Sequence, residues 1–325
     1  MAEDRPAAIA AFLAAHGWGG ATRAPLAGDA SLRRYERLRD GDGRGAVLMD
    51  APPPEDVRPF LRVAGLLRGW GYSAPRVLAA DAERGLVLLE DLGDDLFSRL
   101  LASGRAADEE PLYAAAVDLL VALQRRPPAA DDPLPPYDDA RMLEEVERLL
   151  LWYEPAAGLG EAAREAYRRL WLDLFPLARV GPPRLVYVDY HADNLIWLPE
   201  RAGHARVGLL DFQDARVGPP AYDLVSLLED ARRDVAPALA EAMIRRYLAA
   251  RPELDPDSFR AAYVILGAQR NAKILGLFSR LARRDGKRRY LALQPRVRGY
   301  LERDLAHPAL DALRGWFGEH LSIPP

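Results

Sequence analysis

The chain has 325 residues, 50% of them hydrophobic and 28% charged, enough to bury a sizeable core in two lobes or domains. Its net charge of −4 gives no global electrostatic case for nucleic acid, and the absence of cysteine removes disulfides, thiolate nucleophiles and cysteine–zinc sites. The opening segment lacks the basic stretch of a secretory signal, and no apolar run approaches the roughly 18 residues that span a bilayer, so a cytoplasmic protein with no membrane partner is expected.

A short amphipathic helix is predicted over 5–16. "ATRAPLAGDASLRRYERLRDGDGRGAVLMD" then reads as three strands joined by the turns "GDAS" and "GDGRG". The second turn lacks the G-x-G-x-x-G spacing and a following helix, so it reads as a hairpin turn and not a nucleotide loop. "APPPEDVRPFLRVAGLLRGWG" is a helix opened by prolines and closed by glycines. "APRVLAADAERGLVLLEDLG" is a hairpin turning at "ERG". Beyond Gly93 helices dominate, at about 95–103, 107–126, 138–153 and 160–178, with a proline-rich connection between the second and third. "LVYVDYHADNLIWL" supplies two short strands around a polar loop, "HARVGLLDF" another, and the chain is helical from Pro219 onward, broken at "RPELDP" and "RRDGK". The expected fold class is α+β: a small five-stranded antiparallel lobe with a helix over 1–92, then a large, mainly helical lobe over 93–325. A cleft between lobes is the natural ligand site.

Asp189, Asn194 and Asp211 carry the clearest chemical signal. An Asp and an Asn five apart cannot share one face of a helix, but in a loop leaving a strand they can converge. Phosphoryl transfer needs such a set: one carboxylate to orient a hydroxyl and accept its proton, an amide oxygen and a second carboxylate for Mg²⁺. The order D-x-x-x-x-N, then a strand ending in D-F, is the catalytic-loop and metal-loop arrangement of the protein-kinase fold. Scattered histidines with no H-E-x-x-H pattern argue against zinc.

The chain resembles the aminoglycoside phosphotransferase superfamily, small-molecule kinases with the bilobal protein-kinase fold. The likeness rests on "GDASLRRYERL", "VLMDAPPPEDVRPF", "LLEDLGD", "DYHADNL", "LLDFQDARVGPPAYDLVSLLED" and "QRNAKILGLFSRLARRDGKRRYL". Within the superfamily it is most similar to the bacterial anomeric sugar kinases of cell-wall recycling, which phosphorylate N-acetylmuramate and N-acetylglucosamine at C1. The resemblance implies ATP and Mg²⁺ as cofactors and a small sugar as substrate. It implies Asp189 as catalytic base and Asn194 and Asp211 as metal ligands. It makes "LLEDLG" the hinge, with backbone groups of Glu90 and Leu92 on adenine and Leu89 packed against it. "GDAS", with Asp29 and Ser31, would be the turn over the phosphates, and 138–178 a substrate-binding insert.

Two departures matter. The third-strand lysine of protein kinases is replaced at what looks like Met49, and lysine occurs in this chain only at Lys273 and Lys287. Arg33 and Arg34 are the candidate substitutes, and strand alternation allows at most one of them to face the cleft. The residues before Asp189 are Tyr187 and Val188, which argues against regulation by a phosphorylated activation loop and not against catalysis. His191 is read either as a substrate contact or as a loop-stabilising histidine. Lys273 is read either as a ligand for an acidic sugar or as part of a core helix. Asp223, near a helix start, is expected to cap that helix or to brace the catalytic loop. A kinase for an aminoglycoside or another small hydroxylated molecule, and a nucleotide-binding pseudokinase module, are the alternative functions.

Overall fold

The computed structural model describes residues 4–26, 32–104, 109–128 and 134–323. The chain divides into two compact units, one formed by residues 1–100 with 193–214 and the other by 101–192 with 215–325. Asp29 and Ser31 lie outside the described residues.

The first unit is built on an antiparallel sheet. With elements numbered in chain order, α1 is Arg5–Ala15, β1 Thr22–Leu26, β2 Arg34–Arg39, β3 Gly45–Asp50, α2 Arg58–Gly69, β4 Val77–Asp81 and β5 Leu86–Glu90. The strands lie in the order β1-β2-β3-β5-β4, the five-stranded sheet expected from the turn signals. Register sorts its side chains. Leu38, Ala46, Leu48, Leu86 and Leu88 point to one face, where they bury Ile9, Phe12 and Leu13 of α1 together with Trp18. By alternation, Tyr35, Val47, Met49, Val87 and Leu89 occupy the other face, with Tyr35 paired to Met49 and Met49 to Val87. α2, the helix expected here, is amphipathic and buries Phe60, Val63, Ala64 and Leu67 at helical spacing.

The same unit contains the hairpin β7 (Leu195–Trp197) and β8 (Val207–Leu209). It is tied to the segment after β5: Trp197 N–H donates to Asp95 C=O at 2.8 Å, and Phe97, first residue of α3 (Phe97–Ala102), meets Trp197 edge-on. Gly208 is the one residue that fits there, since a Cβ would come within 2.8 Å of Ile196 and 3.2 Å of Leu92.

The second unit is helical around one spine, α9, Pro256–Arg283, whose first turn is capped by the Asp255 carboxylate accepting from Ser258 N–H. The remaining helices are α4 (Glu110–Arg125), α5 (Asp139–Trp152), α6 (Glu161–Leu174), α7 (Ala221–Leu228), α8 (Pro237–Ala249), α10 (Gln294–Leu305) and α11 (Asp311–Leu321). A two-stranded ribbon pairs β6 (Arg184–Val186) with β9 (Arg216–Gly218). β9 goes beyond the sequence expectation of strands. It is three residues long, and Gly218 is packed so tightly under Tyr137 that a Cβ would lie 2.6 Å from that side chain. The chain also breaks between α7 and α8, a stop that the sequence reading did not place. Among the described residues no helix is long and apolar enough to cross a membrane.

Candidate active site

Asp189 belongs to the second unit and follows β6. The loop that presents it is gripped from α7. The Asp223 carboxylate accepts Tyr187 N–H at 2.6 Å and Val188 N–H at 2.9 Å, and Ser226 Oγ donates to Val188 C=O at 3.3 Å. Of the two roles expected for Asp223, bracing the loop is therefore the one observed. The bracing has work to do, because Val188 has φ of 76°. A β-branched residue in the left-handed region costs about 1–3 kcal/mol. Two hydrogen bonds to the carboxyl, each worth about 0.5–1.5 kcal/mol when it is neutral and about 1.5–3 kcal/mol when it is charged, offset a cost of that size. Burial pushes the Asp223 carboxyl up, the two backbone N–H groups pull it down, and the charge of Asp189 pushes it up again, leaving it at about 7. Tyr190, next to Asp189, is anchored by its hydroxyl to Ala116 C=O at 2.8 Å.

His191 is buried at 4% exposure, with Nε2 3.3 Å from an Arg232 η nitrogen. Burial, then the charges of Arg232 and Arg270, hold its pKa well below the usual 6.5, so the ring is neutral at pH 7. Lys273, on α9, is 9% exposed; its ammonium lies 3.0 Å from Glu145 Oε2 and 3.2 Å from the Tyr222 hydroxyl. The charge of Asp189 contributes to raising the Lys273 pKa, after the opposing effect of burial and the larger contributions of Glu145 and Tyr222. The structure makes Lys273 a core residue of α9 whose partner is Glu145, a carboxylate of the protein itself.

Asn194 and Asp211 belong to the first unit and sit at neighbouring ends of the β7–β8 hairpin. Leu195 pairs with Leu209, and Leu210 N–H donates to Asn194 C=O at 3.0 Å. Asp211 is exposed, with φ of 60°, a left-handed backbone like that of Val188. Gln213 Nε2 donates to its Oδ1 at 2.9 Å and orients the carboxylate. Phe212 is fully buried and stacks on Phe60 of α2, 4.7 Å between centroids. An Asp and an Asn at neighbouring ends of one hairpin bring a carboxylate and an amide, oxygen ligands of the type that fits a hard cation such as Mg²⁺, which takes few protein ligands and completes its shell with water and phosphate oxygens.

At the predicted hinge, Leu89 is buried on the sheet face opposite α1. Glu90 N–H donates to Arg76 C=O at 2.8 Å, so this N–H is engaged within the unit. The Glu90 carboxylate accepts from Arg76 N–H at 3.0 Å and from Arg201 at 2.9 Å, and Arg201 also reaches Ser73 Oγ at 2.9 Å. Arg37 of β2 secures the segment that contains Leu92, pairing with Asp91 at 2.8 Å and Asp94 at 2.6 Å. These charged ties were invisible in the sequence, because each joins residues far apart in the chain.

The model of the phosphotransferase enzyme family matches residues 22–257, well over half of the chain. The chain belongs to this family. Among its relatives, an N-acetylmuramate/N-acetylglucosamine kinase of Caulobacter vibrioides is 42% identical, over 99% of this chain and 98% of that one. A kinase of the same name from Pseudomonas aeruginosa is 39% identical, over 90% and 87%. Solved structures share the fold at low identity. A choline/ethanolamine kinase family protein from Mesorhizobium loti superposes with a TM-score of 0.65 at 17% identity, covering 98% of both chains. The GDP complex of aminoglycoside 2'-phosphotransferase-IIIa does so with a TM-score of 0.65 at 17% identity, covering 91% of this chain and 98% of that one. Membership of the phosphotransferase family accounts for the kinase-like sheet and for the D-x-x-x-x-N and D-F segments in one chain.

Proposed function

We propose that this phosphotransferase is an ATP-dependent sugar kinase that phosphorylates the anomeric C1 hydroxyl of N-acetylmuramate and N-acetylglucosamine in the cytoplasm. The observation that carries this reading is the near-full-length identity to relatives of that name. The geometry within each unit supports the division of labour. Asp189, on a loop fixed by Asp223, accepts the proton of the sugar hydroxyl as its oxygen attacks the γ-phosphorus. Asn194 and Asp211 hold Mg²⁺, which when bound offsets charge on the phosphates. Leu89, with the backbone of Glu90 and Leu92, receives adenine. His191, neutral and buried, serves the loop. A substrate contact by Lys273 has to compete with its ion pair to Glu145, so recognition of the acidic sugar is expected to involve other cations of the second unit.

The test is turnover with Mg·ATP on N-acetylmuramate, N-acetylglucosamine, glucosamine, an aminoglycoside and choline. Turnover on the two N-acetyl sugars, giving a product labile to mild acid, is expected. Turnover only on the aminoglycoside or choline would keep the kinase and discard the sugar. Nucleotide binding with no turnover on any acceptor would favour a pseudokinase module. Asp189→Asn is expected to keep nucleotide binding and lower kcat by a factor on the order of 10³ or more; an unchanged kcat removes Asp189 from the base role.

A further inference from the structure

A nucleotide triphosphate needs a cation in addition to its metal, and the first unit contains no lysine at all, since Lys273 and Lys287 both lie in the second. Met49, at the position expected of that lysine, is fully buried and uncharged. The sheet register shows what stands beside it. Tyr35 is directly opposite Met49, and Arg33 precedes Tyr35 by two residues, so by alternation it lies on the same side. Arg34 pairs with Asp50 on the α1 side, where Arg5 Nε reaches Asp50 at 2.8 Å, and Arg34 itself is exposed.

The Arg33 side chain is only 9% exposed, and its Nε lies 3.1 Å from Glu55 Oε2 in the approach to α2. Glu55 Oε1 also accepts Leu32 N–H at 3.2 Å, so a single carboxylate fixes both the backbone before Arg33 and its guanidinium. Burial pushes the Tyr35 hydroxyl up to about 12, with the charge of Asp211 adding to the rise and the charge and hydrogen bond of Arg33 opposing it. By register Arg33, Tyr35 and Met49 share one side of the sheet within this unit.

We infer that Arg33, aligned by Glu55, is the phosphate-binding cation of the nucleotide site, supplying the charge that a lysine at Met49 would supply. The inference rests on the kinase reading above. A guanidinium carries five N–H donors: the Nε bond to Glu55 sets its plane, and the η nitrogens, one of which reaches the Asp56 carbonyl at 3.5 Å, a contact long enough for a phosphate oxygen to replace, address phosphate in a bidentate fork. An ammonium has no such plane to be fixed.

The test compares ADP and adenosine binding to the full-length protein by calorimetry, because only ADP carries phosphates. Arg33→Met is expected to weaken ADP about 10- to 100-fold, the range for losing charge-assisted hydrogen bonds, and to leave adenosine unchanged. Arg33→Lys is expected to recover part of the loss, and Glu55→Gln to produce a smaller one. Arg23→Gln removes another arginine of the sheet, one bonded to Glu36, and controls for net charge. Unchanged ADP affinity in Arg33→Met overturns the inference while wild-type turnover keeps the kinase. Equal loss of ADP and adenosine overturns it too, because the defect would then lie in the sheet. Wild-type protein that binds no ADP removes the kinase reading and the inference with it.

Discussion

Glu145 and Glu229 are both buried carboxylates held by α9, one on its α5 side and one at the end of α7, and they are neutralised by different means. Glu145 receives cations. Lys273 lies 3.0 Å from it, Arg141 3.0 Å, and the Tyr137 hydroxyl donates at 2.6 Å. Burial pushes its pKa up, but Lys273, Tyr137 and Arg141 more than offset that and hold it at about 2. Glu229 instead faces a second buried carboxyl, Asp304 of α10. Asn271 Nδ2 donates to both, at 2.7 and 3.0 Å, which brings the two acids together. Burial raises both pKa values, and for Asp304 the charge of Glu229 adds to it, against the pull of Asn271 and Arg303. Two carboxylates this close cannot both ionise cheaply, so the pair keeps a proton. The lesson is that one helix can bury acids as an ion pair on one side and as a shared proton on the other, with opposite consequences for pH. A depressed pKa gives stability that is present above the ordinary 4.5 of glutamate and is lost as pH falls toward 2. A raised pKa gives stability that is present below the ordinary carboxylate range and is lost as pH rises.

The largest effect should come from breaking the ion pair on one side only. Glu145→Gln strands Lys273 and is expected to cost about 3–5 kcal/mol, measured by urea denaturation at pH 7. Glu145→Leu with Lys273→Met should recover most of this and remove the loss of stability between pH 4.5 and 2. A neutral effect of Glu145→Gln would mean that the pair is not a buried charge pair. The double variant also isolates the reading of Lys273 as a ligand for the acidic sugar. If its ammonium meets the acidic sugar, KM rises for N-acetylmuramate and not for N-acetylglucosamine.

A somewhat smaller effect is expected at Gly276, which lets α5 approach α9. A Cβ there would lie 2.3 Å from the Arg148 carbonyl oxygen, and a backbone cannot yield as a side chain does. Gly276→Ala should therefore cost about 1–3 kcal/mol or more by overpacking. Gly267→Ala, which meets the Asp304 carboxylate at 2.7 Å, should mainly perturb the proton-sharing pair. Similar midpoints and pH slopes for the two glycine variants would erase the distinction.

Much of this was legible in the sequence where the signal is local. The turn residues and alternation around Tyr35, Leu38 and Val47 gave the sheet, and the residue types at Asp189, Asn194 and Asp211 pointed to phosphoryl transfer before any geometry was known. What was not legible depends on partners distant in the chain. Arg33 and Arg34 are adjacent, and only register together with Glu55, 22 residues on, separates them. Lys273 looks like an isolated basic residue on an apolar stripe until α5 brings Glu145 against it. The Glu229–Asp304 pair joins residues of α10 and the end of α7, and "SLLED" alone reads as an ordinary helix end.

That pair gives the smallest and most discriminating test. Asp304→Asn replaces one acid of the pair with a neutral group of the same shape. On the acid side, where the wild-type pair holds its proton, the change should be under about 1 kcal/mol, the worth of one exchanged hydrogen bond. As pH rises to 9, wild-type protein must either keep the proton at growing cost or bury two negative charges. The variant faces neither, so its urea midpoint should fall less with pH than the wild type's. The same scan on the Glu145→Leu, Lys273→Met double variant should leave this alkaline slope intact, because its acid partner is on the other side of α9. An alkaline slope unchanged by Asp304→Asn would show that the two carboxyls do not share a proton, and the contrast between the two sides of the helix would reduce to the ion pair alone.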